Sequence, residues 1–84
     1  MLEQEVYVKD FIEYLVKNIV NQPDSVEITV KEEPQKSLVH IRVAPEDVGI
    51  IVGRKGKVIH SLRTIATSIG ARIERKIQLE IMQE

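Results

Sequence analysis

Apolar and polar residues recur along this chain with two different periods, and the switches between them mark out its elements. Over residues 3–21 the apolar side chains Val8, Ile12, Leu15 and Ile19 fall at helical spacing, with Phe11 and Tyr14 flanking them. The spacing predicts an amphipathic helix, stopped by the run Asn21-Gln22-Pro23-Asp24. The period then becomes two. Val26, Ile28 and Val30 alternate with Glu27, Thr29 and Lys31, which predicts a strand with one buried face. Residues 32–36, with Pro34 inside, read as a hairpin turn. Residues 38–44 read as a second strand, with Val39, Ile41 and Val43 inward and His40 and Arg42 outward.

Pro45-Glu46-Asp47 carries the marks of a helix start, a proline at an early position and acids against the positive helix end. That helix is short and stops at Gly53. The next begins near Gly56, with Val58, Leu62, Ile65 and Ile69 as its expected buried stripe and Gly70 as its stop. Ala71, Ile73, Ile77, Leu79 and Ile81 then alternate with polar residues in a third strand. Arg75 occupies an inward position in that alternation, so either the strand bends there or the side chain snorkels to the sheet edge. The order is helix–strand–strand–helix–helix–strand. A short turn makes the first two strands antiparallel, and a right-handed two-helix crossover makes the second and third parallel neighbours. The predicted class is α+β, a three-stranded mixed sheet with three helices packed on one face.

Eighty-four residues, 43% of them hydrophobic, suffice for one small domain spanning residues 1–84. With no cysteine, neither disulfides nor thiolate metal sites can reinforce the core. The longest apolar stretch, residues 48–52 with Gly49 inside it, is far too short to span a bilayer. The N-terminus lacks the basic segment of a signal peptide, so a cytoplasmic chain without a membrane partner is expected. The formal net charge of -1 hides a division. Residues 1–50 carry five Lys/Arg against ten Asp/Glu, and residues 51–84 carry seven against three. Such asymmetry suits one face for an anion and another that is solvated.

The basic half begins with Val52-Gly53-Arg54-Lys55-Gly56-Lys57-Val58-Ile59. Two glycines three apart, between two helices, make a tight turn. Gly56 at the start of the longer helix is expected to present backbone N–H groups at the positive end of a helix dipole. Glycine also holds no side chain between that backbone and a sugar-phosphate chain, while Arg54, Lys55 and Lys57 supply charge. A Gly-x-x-Gly tetrapeptide by itself serves equally well as a plain turn between helices.

Set between two helices and bracketed by strands, however, this octapeptide resembles the core of the KH domain. That domain's GxxG loop clamps about four nucleotides of single-stranded RNA or DNA. The element order is that of the type II KH arrangement, and the resemblance covers essentially the whole chain. Val52 stands where the family pattern usually has isoleucine. The full length, and "APEDVGIIVGRKGKVIHSLRTI" in particular, is similar to stand-alone bacterial RNA-binding proteins of the KhpA type.

The resemblance implies a groove between the two short-loop helices and the middle strand. In it Gly53 and Gly56 would admit the nucleic-acid backbone, and Arg54 and Lys55, with Lys57, would meet phosphates. Val48, Ile51 and Val52, with Val58 and Ile59, would form the apolar floor under the bases, although Val58 also heads the expected core stripe. Arg42 and His40 would reach base edges or face water, and Arg63 would be solvated surface. The resemblance further implies a homodimer, or a complex with a larger Jag-type KH protein. It implies roles in RNA chaperoning or post-transcriptional regulation and in control of cell shape and cell wall biogenesis.

Other chemistries find less support. A P-loop counted back from Gly56-Lys57 would need glycine at Ile51 and serine or threonine at Val58. His40 and His60 lie on different elements with no cysteine, which leaves no metal site and no cofactor to nominate. Glu46 and Asp47 are explained by a helix start, with no base or nucleophile opposite them, so no enzyme is expected. The one aromatic Phe and two Tyr all precede residue 15, far from the glycines in sequence, so stacking platforms are absent there. Weak, salt-dependent binding of low selectivity follows. The rival reading is a protein-interaction module, in which the same apolar groove packs on another chain and Arg54 and Lys55 pair with acids.

Overall fold

A computed structural model describes residues 2–82, with side chains from Val8 onward. The elements are α1 (Leu2–Lys17), β1 (Glu27–Glu32), β2 (Lys36–Arg42), α2 (Val48–Val52), α3 (Lys57–Arg72) and β3 (Lys76–Ile81). Single 3-10 turns stand at Pro23–Ser25, Pro45–Asp47 and Arg54–Gly56. The sheet order is β1-β2-β3, antiparallel between β1 and β2 and parallel between β2 and β3. The fold is therefore α+β with the expected order, and β2 is the central strand. Inward side chains Ile28, Val39, Ile41, Ile77 and Leu79 are buried, and Thr29, His40 and Glu80 line up across the three strands on the opposite face. Over the inward face α1 packs on β1, α3 packs on β3, and α2 packs on α3.

The helices bury different stripes from those expected. Along α1 the core residues are Val8, Ile12 and Val16, continued by Val20 beyond the helix end, each four apart. Leu15 and Ile19 are only packed against that core. The helix ends at Lys17, earlier than expected, and at Asn18 the backbone N–H is shared between the Tyr14 and Leu15 carbonyls, each at 3.2 Å. The Asn18 side-chain amide donates to the Tyr14 carbonyl at 2.8 Å, competing with continued helix. In α3 the buried residues are Ile59, Leu62, Ala66 and Gly70, while Ile65 is exposed and Val58 and Ile69 are half-buried. A step of four from Leu62 to Ala66 to Gly70 lets α3 lie close on β3, where larger side chains would hold it off.

Gly70 is not the stop of α3. A Cβ there would land on the Arg75 carbonyl oxygen, so this glycine serves close approach of the helix to the chain that leaves it. The helix ends two residues later in a left-handed closure. Glu74 takes φ 58°, and the Arg75 N–H donates back to the Gly70 carbonyl at 2.8 Å. Ala71 and Ile73 thus belong to the helix and its closure, and β3 begins only at Lys76.

Arg75 is consequently a turn residue, neither bending a strand nor snorkelling from one. Its guanidinium donates to Glu32 Oε1 at 2.7 Å and to the Glu33 carbonyl at 2.8 Å, and its Nε donates to Ser37 Oγ at 3.2 Å. The buried Ser37 hydroxyl in turn donates to the Glu32 carboxylate. This network fastens the end of α3 to the β1–β2 hairpin, whose Pro34-Gln35 tip is closed by a Glu33 N–H donated to the Lys36 carbonyl at 2.9 Å.

Candidate nucleic-acid interface

The geometry of the glycine turn follows from its two glycines, which have different jobs. Gly53 ends α2, donating its N–H to the Gly49 carbonyl at 2.9 Å, and takes φ 78° and ψ 170°, a conformation closed to residues with a Cβ. A Cβ at Gly53 would also meet Val58 Cγ2 at 2.5 Å, because the first turn of α3 seats directly on it. Gly56, at φ 74° and ψ 18°, is left-handed, yet a Cβ there would have no neighbour within 4 Å. Gly53 is needed by both space and backbone. Gly56 is needed by backbone alone, and open surface lies over it.

Between them Lys55 adopts φ 58° and ψ 26°, the left-handed region that costs an L-residue roughly 1 kcal/mol. Arg54 and Lys55 are both exposed, as is Lys57. The stretch from Val48 to Ile73 contains no acidic residue and five cations, so their field is uncompensated along α2 and α3. The backbone donors expected at Gly56 are already committed. Its N–H bonds to the Gly53 carbonyl at 3.1 Å, and the Lys57 N–H bonds to the Arg54 carbonyl. These two N–H groups are therefore not open to an anion, and the exposed side chains of Arg54, Lys55 and Lys57 supply the charge at the turn.

The apolar residues divide. Ile51 is completely buried and Ile59 nearly so, both within the core, and neither offers surface to a ligand. Val48, Val52 and Val58 are half-buried, which leaves part of each on the surface, Val52 and Val58 at the two ends of the turn and Val48 at the far end of α2. Ile50, also half-buried, was not singled out by the sequence, since its position carries no periodic signal in a five-residue helix.

The central strand sends its two outward residues to different places. His40 Nε2 lies 3.2 Å from Glu80 Oε1 on the sheet face away from the helices, remote from the glycine turn. Arg42, exposed at the end of β2, instead lines a cleft of about 640 Å³ together with Val48. Arg63 is not free solvated surface. Its Nε donates to the Leu79 carbonyl at 3.3 Å, occupying the outer edge of β3.

The acids ahead of α2 are likewise more than a helix start. Asp47 is fully buried, and its Oδ2 accepts the Gln22 N–H at 2.9 Å, while no partner reaches Oδ1 among the described residues. Glu46 accepts from the Gln22 side-chain amide at 3.1 Å. The connector after α1 is thus anchored to the base of the glycine-turn helix pair.

An α-β-β-α-α-β fold whose two middle helices meet at a GxxG turn is a KH domain of the type II arrangement. The sequence matches the family described as KhpA/KhpB, KH domain, over residues 9–81, and the chain belongs to that family. Among its relatives, the RNA-binding protein KhpA of Chlamydia caviae is 36% identical over 76 residues, covering 90% of this chain and 97% of its own. The RNA-binding protein KhpA of Aquifex aeolicus is 35% identical over 75 residues, covering 89% and 95%. The RNA-binding protein KhpA of Streptomyces coelicolor is 36% identical over 64 residues, covering 76% and 81%.

Proposed function

We propose that this chain binds single-stranded RNA, gripping about four nucleotides at the turn from Gly53 to Gly56. The observation that carries the reading is the open space over Gly56, between exposed Arg54, Lys55 and Lys57, with half-buried Val52 and Val58 on either side of the turn in sequence. A sugar-phosphate backbone fits where no Cβ stands, the cations meet its phosphates, and the valines receive bases. The names of the relatives support the same substrate. Single-stranded DNA presents the same phosphates and bases and is a second ligand of this surface. Contacts of so few charges, with no aromatic platform, give weak and salt-sensitive binding. Such binding suits an RNA chaperone or post-transcriptional regulator in the cytoplasm, strengthened by a second copy or by a larger Jag-type KH protein and acting on cell shape and cell wall biogenesis.

A second reading, protein interaction, is favoured by a different place. Exposed Phe11 and half-buried Ile69 and Ile73 line a cleft with Arg72, about 20 Å along α3 from the turn at 1.5 Å per residue. Both activities can therefore coexist on one chain. The test is a fluorescence-polarisation titration of short single-stranded RNAs at low and near-physiological salt, wild type beside Arg54→Asp/Lys55→Asp. Wild-type binding that weakens with salt and disappears in the folded double variant is expected. A folded wild type that binds no RNA at either salt would remove the reading.

A further inference from the structure

The outer face of the sheet, away from the helices, matches its charges by register. Glu27 stands opposite Arg42, and His40 stands opposite Glu80, with 3.2 Å between Nε2 and Oε1. Opposite charges across a ladder stabilise it, and like charges directly opposite destabilise it. One pair breaks the pattern. Lys36 at the start of β2 is the register partner of Lys76 at the start of β3, and both belong to the outer face because the next residues, Ser37 and Ile77, are buried on the inner one. Lys31 joins them from β1. It stands opposite Leu38, which makes it a diagonal neighbour of Lys36, about 7–8 Å away and within reach of a long side chain.

Little opposes this charge. Among the described residues the side chains of Lys31 and Lys76, both exposed, make no ion pair or hydrogen bond. Lys36 reaches Glu33 Oε1 only at 3.9 Å, and a partly solvated pair of that length is worth little. Glu32 is already tied to Arg75 at 2.7 Å. Lys36 and Lys76 also line a cleft of about 620 Å³ together with Glu33, Pro34 and Gln35 of the hairpin tip.

A surface of this kind takes an anion with several charges in a row. A phosphate seated between Lys36 and Lys76 offsets their mutual repulsion, and a neighbouring phosphate of the same chain meets Lys31. Lysine is a point charge on a flexible stem, so the contact is blind to the bases. From Lys57 beside the glycine turn, α3 runs about 22 Å to Arg72, four residues before Lys76, so the lysines lie beyond the far end of that helix. An RNA of about twelve nucleotides, about 40 Å long at the 3.4 Å per nucleotide of a stacked strand, exceeds the chain's longest dimension of 34 Å and spans both places. An RNA of about four nucleotides is used up at the turn.

We infer that Lys31, Lys36 and Lys76 form a second, base-independent phosphate contact for an RNA strand held elsewhere at the glycine turn. The contact lies on the sheet face away from the helices. The inference rests on the RNA-binding reading for its ligand, and the length of the RNA separates the two.

The experiment measures fluorescence-polarisation affinities of single-stranded RNAs of about four and about twelve nucleotides over a series of salt concentrations. Wild type is compared with Lys31→Gln/Lys36→Gln/Lys76→Gln, which keeps the aliphatic stems, and with Arg54→Asp/Lys55→Asp. The short RNA is expected to bind wild type and the lysine variant alike. On wild type the long RNA is expected to show a salt slope steeper than the short one by about two, from three phosphates at about 0.7 each. The lysine variant is expected to lose that excess, and about tenfold in low-salt affinity for the long RNA. Urea unfolding at low salt adds a readout of the like-charge pair itself. Its midpoint is expected to rise in the lysine variant, as the repulsion is relieved, while long-RNA affinity falls. Equal long-RNA affinity and slope in wild type and the lysine variant would overturn the inference and keep the clamp. Long-RNA binding that survives in Arg54→Asp/Lys55→Asp but disappears in the lysine variant would keep the lysine contact and remove the clamp. A lysine variant that loses self-association instead of RNA affinity would assign the lysines to a second copy of the chain and overturn the inference as well.

Discussion

The two ends of α3 are built from the same parts and used in opposite ways. Each has a glycine against which another segment packs, Gly53 under Val58 and Gly70 under Arg75, and each has a charged residue in left-handed backbone, Lys55 and Glu74. At the C-terminal end everything turns inward. Arg75 returns its N–H to Gly70 and its guanidinium to Glu32, Ser37 and the Glu33 carbonyl. At the N-terminal end the turn closes on itself through the Gly56 and Lys57 N–H groups and sends Arg54 and Lys55 outward over open space. A glycine and a strained residue therefore do not mark a binding site. The space beside them does, and of the glycines at the two ends of α3 Gly56 has it while Gly53 and Gly70 do not.

The sharpest way to break that contrast is to add one methyl at each end. Gly70→Ala forces its Cβ onto backbone, which cannot rotate away, and the turn into β3 must shift. A loss of about 2–4 kcal/mol in urea unfolding is expected, with RNA affinity of the folded fraction unchanged. Gly56→Ala meets no atom and is charged only for left-handed backbone, about 1–2 kcal/mol, but it fills the space over the turn. RNA affinity should fall at least about tenfold, one phosphate or base contact's worth. If Gly56→Ala binds RNA like wild type, the open space is not where the strand lies. Gly49→Ala is the control inside α2. It meets nothing within 4 Å in ordinary helical backbone, and a gain of about 0.5–1 kcal/mol is expected by the same unfolding measurement.

The C-terminal clasp is tested next by Arg75→Met, which keeps the aliphatic stem and removes every donor. The Glu33 carbonyl, Ser37 hydroxyl and Glu32 carboxylate each lose a partner. Glu32 and Arg75 remain partly solvated, so water recovers part of the loss, and about 1–2 kcal/mol is expected. Salt should matter less here than for RNA binding at the other end, because two of the three acceptors are uncharged. A variant as stable as wild type would make the clasp a surface decoration.

Much of this architecture was written in periodicity. Alternation announces both strands of the hairpin, and two glycines and two cations announce the helix–turn–helix. β2 nonetheless runs Lys36–Arg42 where alternation put it at 38–44, and Glu32 and Lys36 belong to strands where the turn was expected. What periodicity could not separate was one helical face from its neighbour. Val58, Leu62, Ile65 and Ile69 make as good a stripe as Ile59, Leu62 and Ala66, and the second is buried because the small Ala66 and Gly70 let α3 sit close on the sheet. That choice decides the site, since it moves Ile59 into the core and leaves Val58 partly on the surface. Arg75 was misplaced because alternation runs on through a helix end whose left-handed Glu74 carries no glycine to signal it. The bond from Gln22 to Asp47 spans twenty-five residues, and no local pattern encodes it.

The smallest effects give the closest comparison, since Lys55→Gly and Glu74→Gly remove the same left-handed strain from the two ends. Each should gain about 0.5–1 kcal/mol from relief of the backbone, offset in part by the freedom glycine adds to the unfolded chain. Measured by urea unfolding, the two variants are expected to agree within about 0.5 kcal/mol. In RNA titration they should part. Glu74→Gly leaves the glycine turn untouched and keeps wild-type affinity, whereas Lys55→Gly removes a phosphate contact and lowers the salt slope by about one counterion. Equal RNA affinities for the two would mean that exposed Lys55 serves some end other than a phosphate.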